Sequence, residues 1–405
     1  MYLSKVRSLR LLVVAVIGAV TLAACGSSDD ESSSGPVVKI GVIAPLSGDL
    51  AAVGNGIKNS VDLAIKQAND AKTVAGWTIE IDAQDDQAKP DVGAAAATKL
   101  ASDSEVAGVV GTYNTSVAAQ VIPILDAAHI VQVSPANTGD KLTRGENFKT
   151  APTRPHANYF RTATYDDLQG GFAADYAYNT AGAKTAVLIH DKKAYGQGLA
   201  ESFKASFEAL GGQILGETQT VNPGDKDFSG VVTKIKPLNP QIIFYGGEYP
   251  EASLLSSQAK LAGITVPIMG GDGIVAKTYV DVAGASAAGD LGTSIGAPAD
   301  TLPSAKTFLA DYAAAGYKDP PAAYGALAFD AANTIIRALA TVLPGKTKVD
   351  TSVREQVVAA VQATDFDGVS GKVVFDQYGD TKTKLLTVYK VEGTDWKPVL
   401  TKAVA

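Results

Sequence analysis

The chain has 405 residues, 42 acidic side chains against 35 basic ones, and a formal net charge of −7. That acidic balance argues against binding nucleic acid or an anionic membrane surface, both of which call for basic patches. Cys25 is the only cysteine, so no internal disulfide can form; stability must come from packing, and the length suits two cored domains.

Lys5, Arg7 and Arg10 precede an apolar run over residues 11–24. This charge-then-apolar order is that of an export signal, and the run is shorter than the roughly 20 residues a spanning helix needs. It ends in Leu22-Ala23-Ala24-Cys25, which resembles the lipobox of bacterial lipoproteins. That resemblance implies a signal peptide over 1–24, cut before Cys25, and a diacylglycerol on the Cys25 thiol. Residues 25–36 are polar and predict a flexible tether. Loss of 1–24, with its three basic residues and no acid, takes the charge to −10.

Beyond the tether, β-branched apolar runs predict strands at 37–44, 77–83, 106–111 and 130–134. Helices are predicted between them: Ile57, Val61, Ala64, Ile65 and Ala68 recur at helical spacing, and 91–101 and 117–128 follow. The alternation then restarts. Strands are predicted at 185–190, 212–218, 241–245, 266–269 and 291–295, with helices at 195–210, 228–235 and about 252–262. Helices at 304–315 and 322–342 and strands at 371–375 and 385–391 close the chain. Strands alternating with helices predict βαβ units in parallel sheets, and two such blocks predict two lobes. Ligands of such sheets bind outside the carboxyl ends of the strands, so facing lobes predict a cleft site.

Catalytic signatures fail in turn. Gly345-Lys346-Thr347 ends like a phosphate loop, but Ala340 stands where the first glycine is required. Gly54-Asn55-Gly56 opens like a dinucleotide fingerprint, but Asn59 holds the third glycine position. Asp225, Asp227 and Ser229 begin like a calcium loop whose twelfth position is Lys236, not glutamate. Asp227 is better read as a helix cap with Phe228 packed under it. His129, His156 and His190 form no metal-binding pair. An enzyme is not expected, nor is a cofactor or a metal.

Several blocks carry a family resemblance. Val38-Lys39-Ile40-Gly41-Val42-Ile43-Ala44-Pro45-Leu46-Ser47-Gly48 resembles the opening of the type I solute-binding proteins of branched-chain amino acid ABC importers. Asp85-Asp86-Gln87, Val133-Ser134-Pro135-Ala136-Asn137-Thr138 and His190-Asp191-Lys192-Lys193-Ala194-Tyr195-Gly196 are similar to further blocks in the same order. So are Asp227-Phe228-Ser229, Tyr245-Gly246-Gly247 and Met269-Gly270-Gly271-Asp272-Gly273. The resemblance implies an α/β fold of two doubly wound Rossmann-like lobes joined by a three-strand hinge. Lobe 1 is expected over 37–160 plus 297–365 and lobe 2 over 161–296 plus 366–405. Crossovers are expected near Arg161, near Gly296 and between Phe366 and Tyr378. It also implies a monomer that closes on an amino acid, a branched-chain one first, and hands it to a membrane permease. A short amide, a urea-like solute, an aromatic acid or a sensing role is the alternative.

Site residues follow from the same blocks. The resemblance gives the Thr115 hydroxyl to the ligand carboxylate, and Thr115 also reads as the cap of a helix starting at Ser116, whose free N–H groups suit an anion. Ala136 and Thr138 would offer a carbonyl and a hydroxyl to the ammonium, with Asp272 as its acidic partner. The Tyr195 ring would cover the ligand, and Tyr324 would line the side-chain pocket. Val53 stands where better-known leucine-binding members carry an aromatic ring, Asn114 where some carry a disulfide cysteine, and Glu248 where they carry tyrosine. Two acids, Asp272 and Glu248, would then face one cleft.

Overall fold

The computed structural model describes residues 35–404. The export signal, Cys25 and nearly all of the tether lie outside the described residues. The first half builds β1 (Val37–Ala44), α1 (Ala51–Asp70), β2 (Thr78–Asp85), α2 (Pro90–Ser102), β3 (Val106–Gly111), α3 (Thr115–Ala127), β4 (Val131–Ser134), the short α4 (Lys141–Arg144) and β5 (Tyr159–Arg161). Its five strands form one parallel sheet in the order β2-β1-β3-β4-β5. The alternation along β1 decides which layer each residue feeds. Ile40 and Val42 enter a core with Val61, Ile335, Leu339 and Val357, while Ile43 joins Val109, Val117 and Val121 on the opposite face.

The second block runs α5 (Asp166–Asp175), β6 (Thr185–His190), α6 (Ala194–Ala209), β7 (Gln213–Ile214), β8 (Gln219–Thr220), α7 (Ser229–Ile235), β9 (Ile242–Gly246), α8 (Tyr249–Leu261), β10 (Ile268–Gly270), α9 (Lys277–Ala283) and β11 (Leu291–Ile295). The chain then returns to the first lobe through α10 (Lys306–Ala314), α11 (Gly325–Val342), α12 (Thr351–Gln362) and the antiparallel pair β12 (Asp365–Asp367) and β13 (Lys372–Val374). It ends with β14 (Leu385–Glu392) and β15 (Asp395–Ala403), which extend the second sheet antiparallel beyond β11. Phe203, Phe207 and Phe244 stack on one face of that sheet; Val187, Ile243 and Tyr245 feed the other.

Three segments pass between the lobes side by side. After Arg161, Thr162 Oγ1 donates to the Leu327 carbonyl at 3.1 Å. Gly296 N–H donates to Leu385, and Thr387 Oγ1 donates back to Gly296 at 2.9 Å. The third passage falls later than the expected 366–378. Val373 and Phe375 are buried in the first core, and the second sheet is entered at Leu385. Their apolar side chains had one full core at hand, and that decided their lobe.

Elsewhere the expected strand over 212–218 shrinks to the two-residue β7, followed by an equally short β8. The cap position of α7 falls on the buried Phe228 and not on Asp227, which stands one residue before it and accepts the Ser229 N–H at 2.9 Å.

Candidate functional site

The site forms where loops after strands of the two sheets meet. In the first lobe, β3 ends at Gly111 and α3 begins at Thr115, so a helix N-terminus with unpaired N–H groups opens onto the cleft. Thr115 is the first helical residue and not the cap. The cap position belongs to Asn114, whose side chain makes no capping bond. Its amide reaches across the cleft and donates to Glu248 Oε1 instead.

The loop after β4 is held from several sides. Ser134 Oγ accepts the N–H groups of Ala136 and Asn137, at 3.2 and 2.8 Å. Asn137 Nδ2 donates to the Tyr113 carbonyl at 2.8 Å. Arg161, fully buried at the end of β5, donates to the carbonyls of Asn137 (3.2 Å) and Gly139 (2.9 Å). With its neighbours pinned, Thr138 presents a buried hydroxyl that has no partner among the described residues.

From the second lobe, Tyr195 sits in the first turn of α6 and Asp272 in a 3-10 turn after β10. Tyr195 OH donates to Asp272 Oδ1 at 2.9 Å and accepts the Gly273 N–H at 3.0 Å. Gly273 has to be glycine, because a Cβ there would lie 2.8 Å from the Gly247 carbonyl and 2.9 Å from the Tyr195 ring. Tyr324, just before α11 in the first lobe, donates to Asp272 Oδ2 at 2.9 Å. Its ring meets Tyr113 edge-to-face, with centroids 5.3 Å apart. Burial raises the Asp272 carboxyl above its ordinary value, and the bonds from Tyr195 and Tyr324 offset part of that rise.

Glu248 stands before α8. Its Oε1 accepts from Asn114 and its Oε2 from Lys193. Asp191 lies behind Lys193, its Oδ1 accepting the Lys193 backbone N–H at 3.0 Å. Burial, with Glu248 nearby, pushes the Asp191 carboxyl up to about 7.

Thr115, Ala136, Thr138, Tyr195, Glu248, Asp272 and Tyr324 therefore line one cavity, closed to about 10 Å³, with Tyr113, Asn114 and Gly273 completing its wall. Two bonds across the cleft, Asn114–Glu248 and Tyr324–Asp272, hold the lobes together over it. Val53 does not reach it. That side chain is buried in an apolar cluster with Leu50 and Ile57 and borders a separate cavity of about 390 Å³. A valine with apolar neighbours gains more there than at a polar wall. Beyond Thr115 a wider cavity of about 660 Å³ runs between the lobes. Asp166, 1% exposed, borders it with both carboxyl oxygens unpartnered among the described residues. Tyr113, Lys193, Arg161 and Asp166 were not singled out as site residues from the sequence. Only Lys193 carried a signal, as part of the block His190 to Gly196.

A family model described as periplasmic binding protein matches residues 37–395. The Leu/Ile/Val-binding protein BraC3 of Rhizobium johnstonii is 32% identical over 88% of this chain and 92% of its own length. The structure of a leucine-binding protein LivK from Thermotoga maritima superposes with a TM-score of 0.80 at 28% identity, covering 90% of this chain and 99% of that one. The branched-chain amino acid transporter substrate-binding protein LivJ from Streptococcus pneumoniae, in complex with isoleucine, gives 0.78 at 28% identity, covering 91% and 99%.

Proposed function

This chain belongs to the type I periplasmic binding proteins of the branched-chain amino acid transporter family, and from that premise we propose that it captures a free amino acid between its lobes and delivers it to an ABC permease. The family's members are solute-binding proteins outside the cytoplasm, and they are not enzymes.

The observation that carries the amino-acid reading is the pairing of opposite chemistries in one small cavity. Asp272, between two tyrosine hydroxyls, supplies an anionic acceptor for an α-ammonium. Opposite it, the N-terminus of α3 at Thr115 supplies N–H donors and a positive dipole end for an α-carboxylate. Thr138, whose hydroxyl has no partner among the described residues, lines the same cavity. Groups from both lobes surround the same space, so a ligand touching all of them favours the closed form and shifts the population toward it. Ala136 offers its carbonyl to the ammonium, Tyr195 covers the ligand, and Tyr324 walls the cavity.

The anchor belongs to the same proposal. Leu22-Ala23-Ala24-Cys25 supports lipidation at Cys25, and two acyl chains hold a protein to a bilayer far better than one. Metabolic labelling with a fatty acid should mark the native chain and not Cys25→Ala; equal labelling of both rules the anchor out.

The amino-acid reading is tested by melting the protein with each of the twenty amino acids. A ligand bound only by the folded state adds about 2.7 kcal/mol at a hundredfold excess over its dissociation constant. A shift with amides or aromatic acids, and with no amino acid, overturns the reading.

A further inference from the structure

We propose that the cavity selects an amino acid whose side chain ends in N–H donors, a carboxamide or a cationic nitrogen, over a branched aliphatic one, and that Glu248 and Asn114 make the selection. This rests on the amino-acid reading above and concerns the end of the cavity that the α-ammonium and α-carboxylate leave free.

With Asp272 and the α3 N-terminus given to those groups, the remaining wall consists of Tyr113, Tyr324, Asn114 and Glu248. Among the described residues that line the cavity, Ala136 is the only aliphatic one. A site built for leucine or isoleucine gains its affinity from apolar area removed from water. Here the same area would be pressed against a carboxylate and an amide that are themselves out of water, Glu248 being 3% exposed and Asn114 4%.

The orientation of Asn114 follows from its partner. Glu248 accepts only, so the Asn114 amide must turn its nitrogen to Glu248 and leave its oxygen free. That oxygen, Oδ1, is buried with no partner among the described residues. A buried acceptor with an unmade hydrogen bond is costly, and a ligand donor makes the bond. Glu248 itself has lone pairs beyond the two bonds from Asn114 and Lys193.

Charge points the same way. Lys193 is the one cation bonded to Glu248 among the described residues, and fully buried Asp86 and Asp191 lie close enough to act on Glu248 electrostatically. Asp86 Oδ2 has no hydrogen-bond partner among the described residues, and Asp191 Oδ2 has only the Lys193 ammonium, 3.7 Å away. The local surplus is of acceptors and acids. A donor-bearing side chain complements it, a hydrocarbon leaves it unsatisfied, and a ligand carboxylate is repelled. Sites that hydrogen-bond a polar group reject the analogue lacking it far more sharply than apolar pockets distinguish one methylene from another.

Calorimetry on the full chain in detergent decides, with glutamine, asparagine, lysine and arginine against leucine, isoleucine, valine and glutamate. At least one donor-bearing amino acid should bind tighter than any branched-chain one by about tenfold or more. Glu248→Gln, which keeps the shape and adds a competing donor, should weaken that ligand about tenfold and change leucine little. Asn114→Leu with Glu248→Leu should reverse the order if the variant melts cooperatively; if it does not fold, Glu248→Gln alone carries the test. Tightest binding of leucine, isoleucine or valine, with no change of order in Glu248→Gln, overturns this inference and leaves the amino-acid reading standing. Failure of all twenty amino acids to bind overturns both.

Discussion

Two buried polar clusters lie within one loop of each other, at the hinge and in the cleft, and they are built on opposite terms. At the hinge, Arg161 makes four hydrogen bonds: to Asp380 Oδ1 (2.6 Å), to the Asn137 and Gly139 carbonyls, and to Thr143 Oγ1 (2.7 Å). Asp380 gives its second oxygen to Arg144 at 2.7 Å. Burial pushes the Asp380 carboxyl up, yet Arg161 and Arg144 more than offset it and hold it below its ordinary value. In the cleft, Asn114 Oδ1, Thr138 Oγ1 and both oxygens of Asp166 have no hydrogen-bond partner among the described residues, and the Asp272 carboxyl stays raised. A satisfied buried network holds a structure in place; an unsatisfied one has bonding capacity left for something else. The two share the loop at 136–139, whose carbonyls Arg161 grips and whose Thr138 faces the cavity.

The contrast is sharpest where each cluster is broken. Arg161→Met leaves the fully buried Asp380 without its nearest cation, and removing one partner of a buried pair costs about 3–5 kcal/mol. Denaturant unfolding should show a loss of that order; a loss under about 1 kcal/mol would mean that the hinge network is not what holds the crossovers together.

Asp272→Asn should do the reverse, sparing the fold and costing ligand affinity. The carboxyl is already raised by burial, so an amide of the same shape leaves stability near that of the native chain. Hydrogen bonds to charged groups contribute about 1.5–3 kcal/mol, which is about one to two powers of ten in dissociation constant. Native affinity in this variant would remove Asp272 from the ammonium site.

Thr138→Val deletes a hydroxyl that bonds to nothing in the described structure. Unfolding should be almost unchanged, and calorimetry should show a loss of about 1 kcal/mol in ligand binding. An equal loss in stability would place Thr138 with the hinge cluster.

The last test is one of pH. Burial, with Asp85 and Glu248 adding, lifts the Asp86 carboxyl from 3.8 to about 7, against the pull of the Ala88 N–H. A carboxyl raised on folding stabilises below its unfolded value and loses that contribution as pH climbs through its folded value. The melting temperature should therefore fall between about pH 4 and about pH 7, and fall less in Asp86→Asn. Identical slopes would mean that Asp86 is ionised in the fold at neutral pH.

The sequence by itself determined the layer architecture. β1, β3 and β6 lie where their apolar runs put them, because a strand buried on both faces has no polar alternation to blur its ends. The family resemblance carried by its motifs named eight ligand contacts, and seven of them line one cavity, at strand ends and helix starts. It did not show α5, where Gly170 and Gly171 weaken the helical signal. Gly170 is there because α5 lies tight against α6, and a Cβ would come within 2.6 Å of Ser202. Nor did it show β15, an edge strand with Pro398 and a register shift in its pairing with β14. The bond between Asn114 and Glu248 joins residues 134 positions apart, and Arg161 meets Asp380 across 219. Periodicity and spacing are local. Which buried polar atom finds a partner, and which is left for a ligand, depends on how two lobes and three crossing strands meet, and only the tertiary structure decides that.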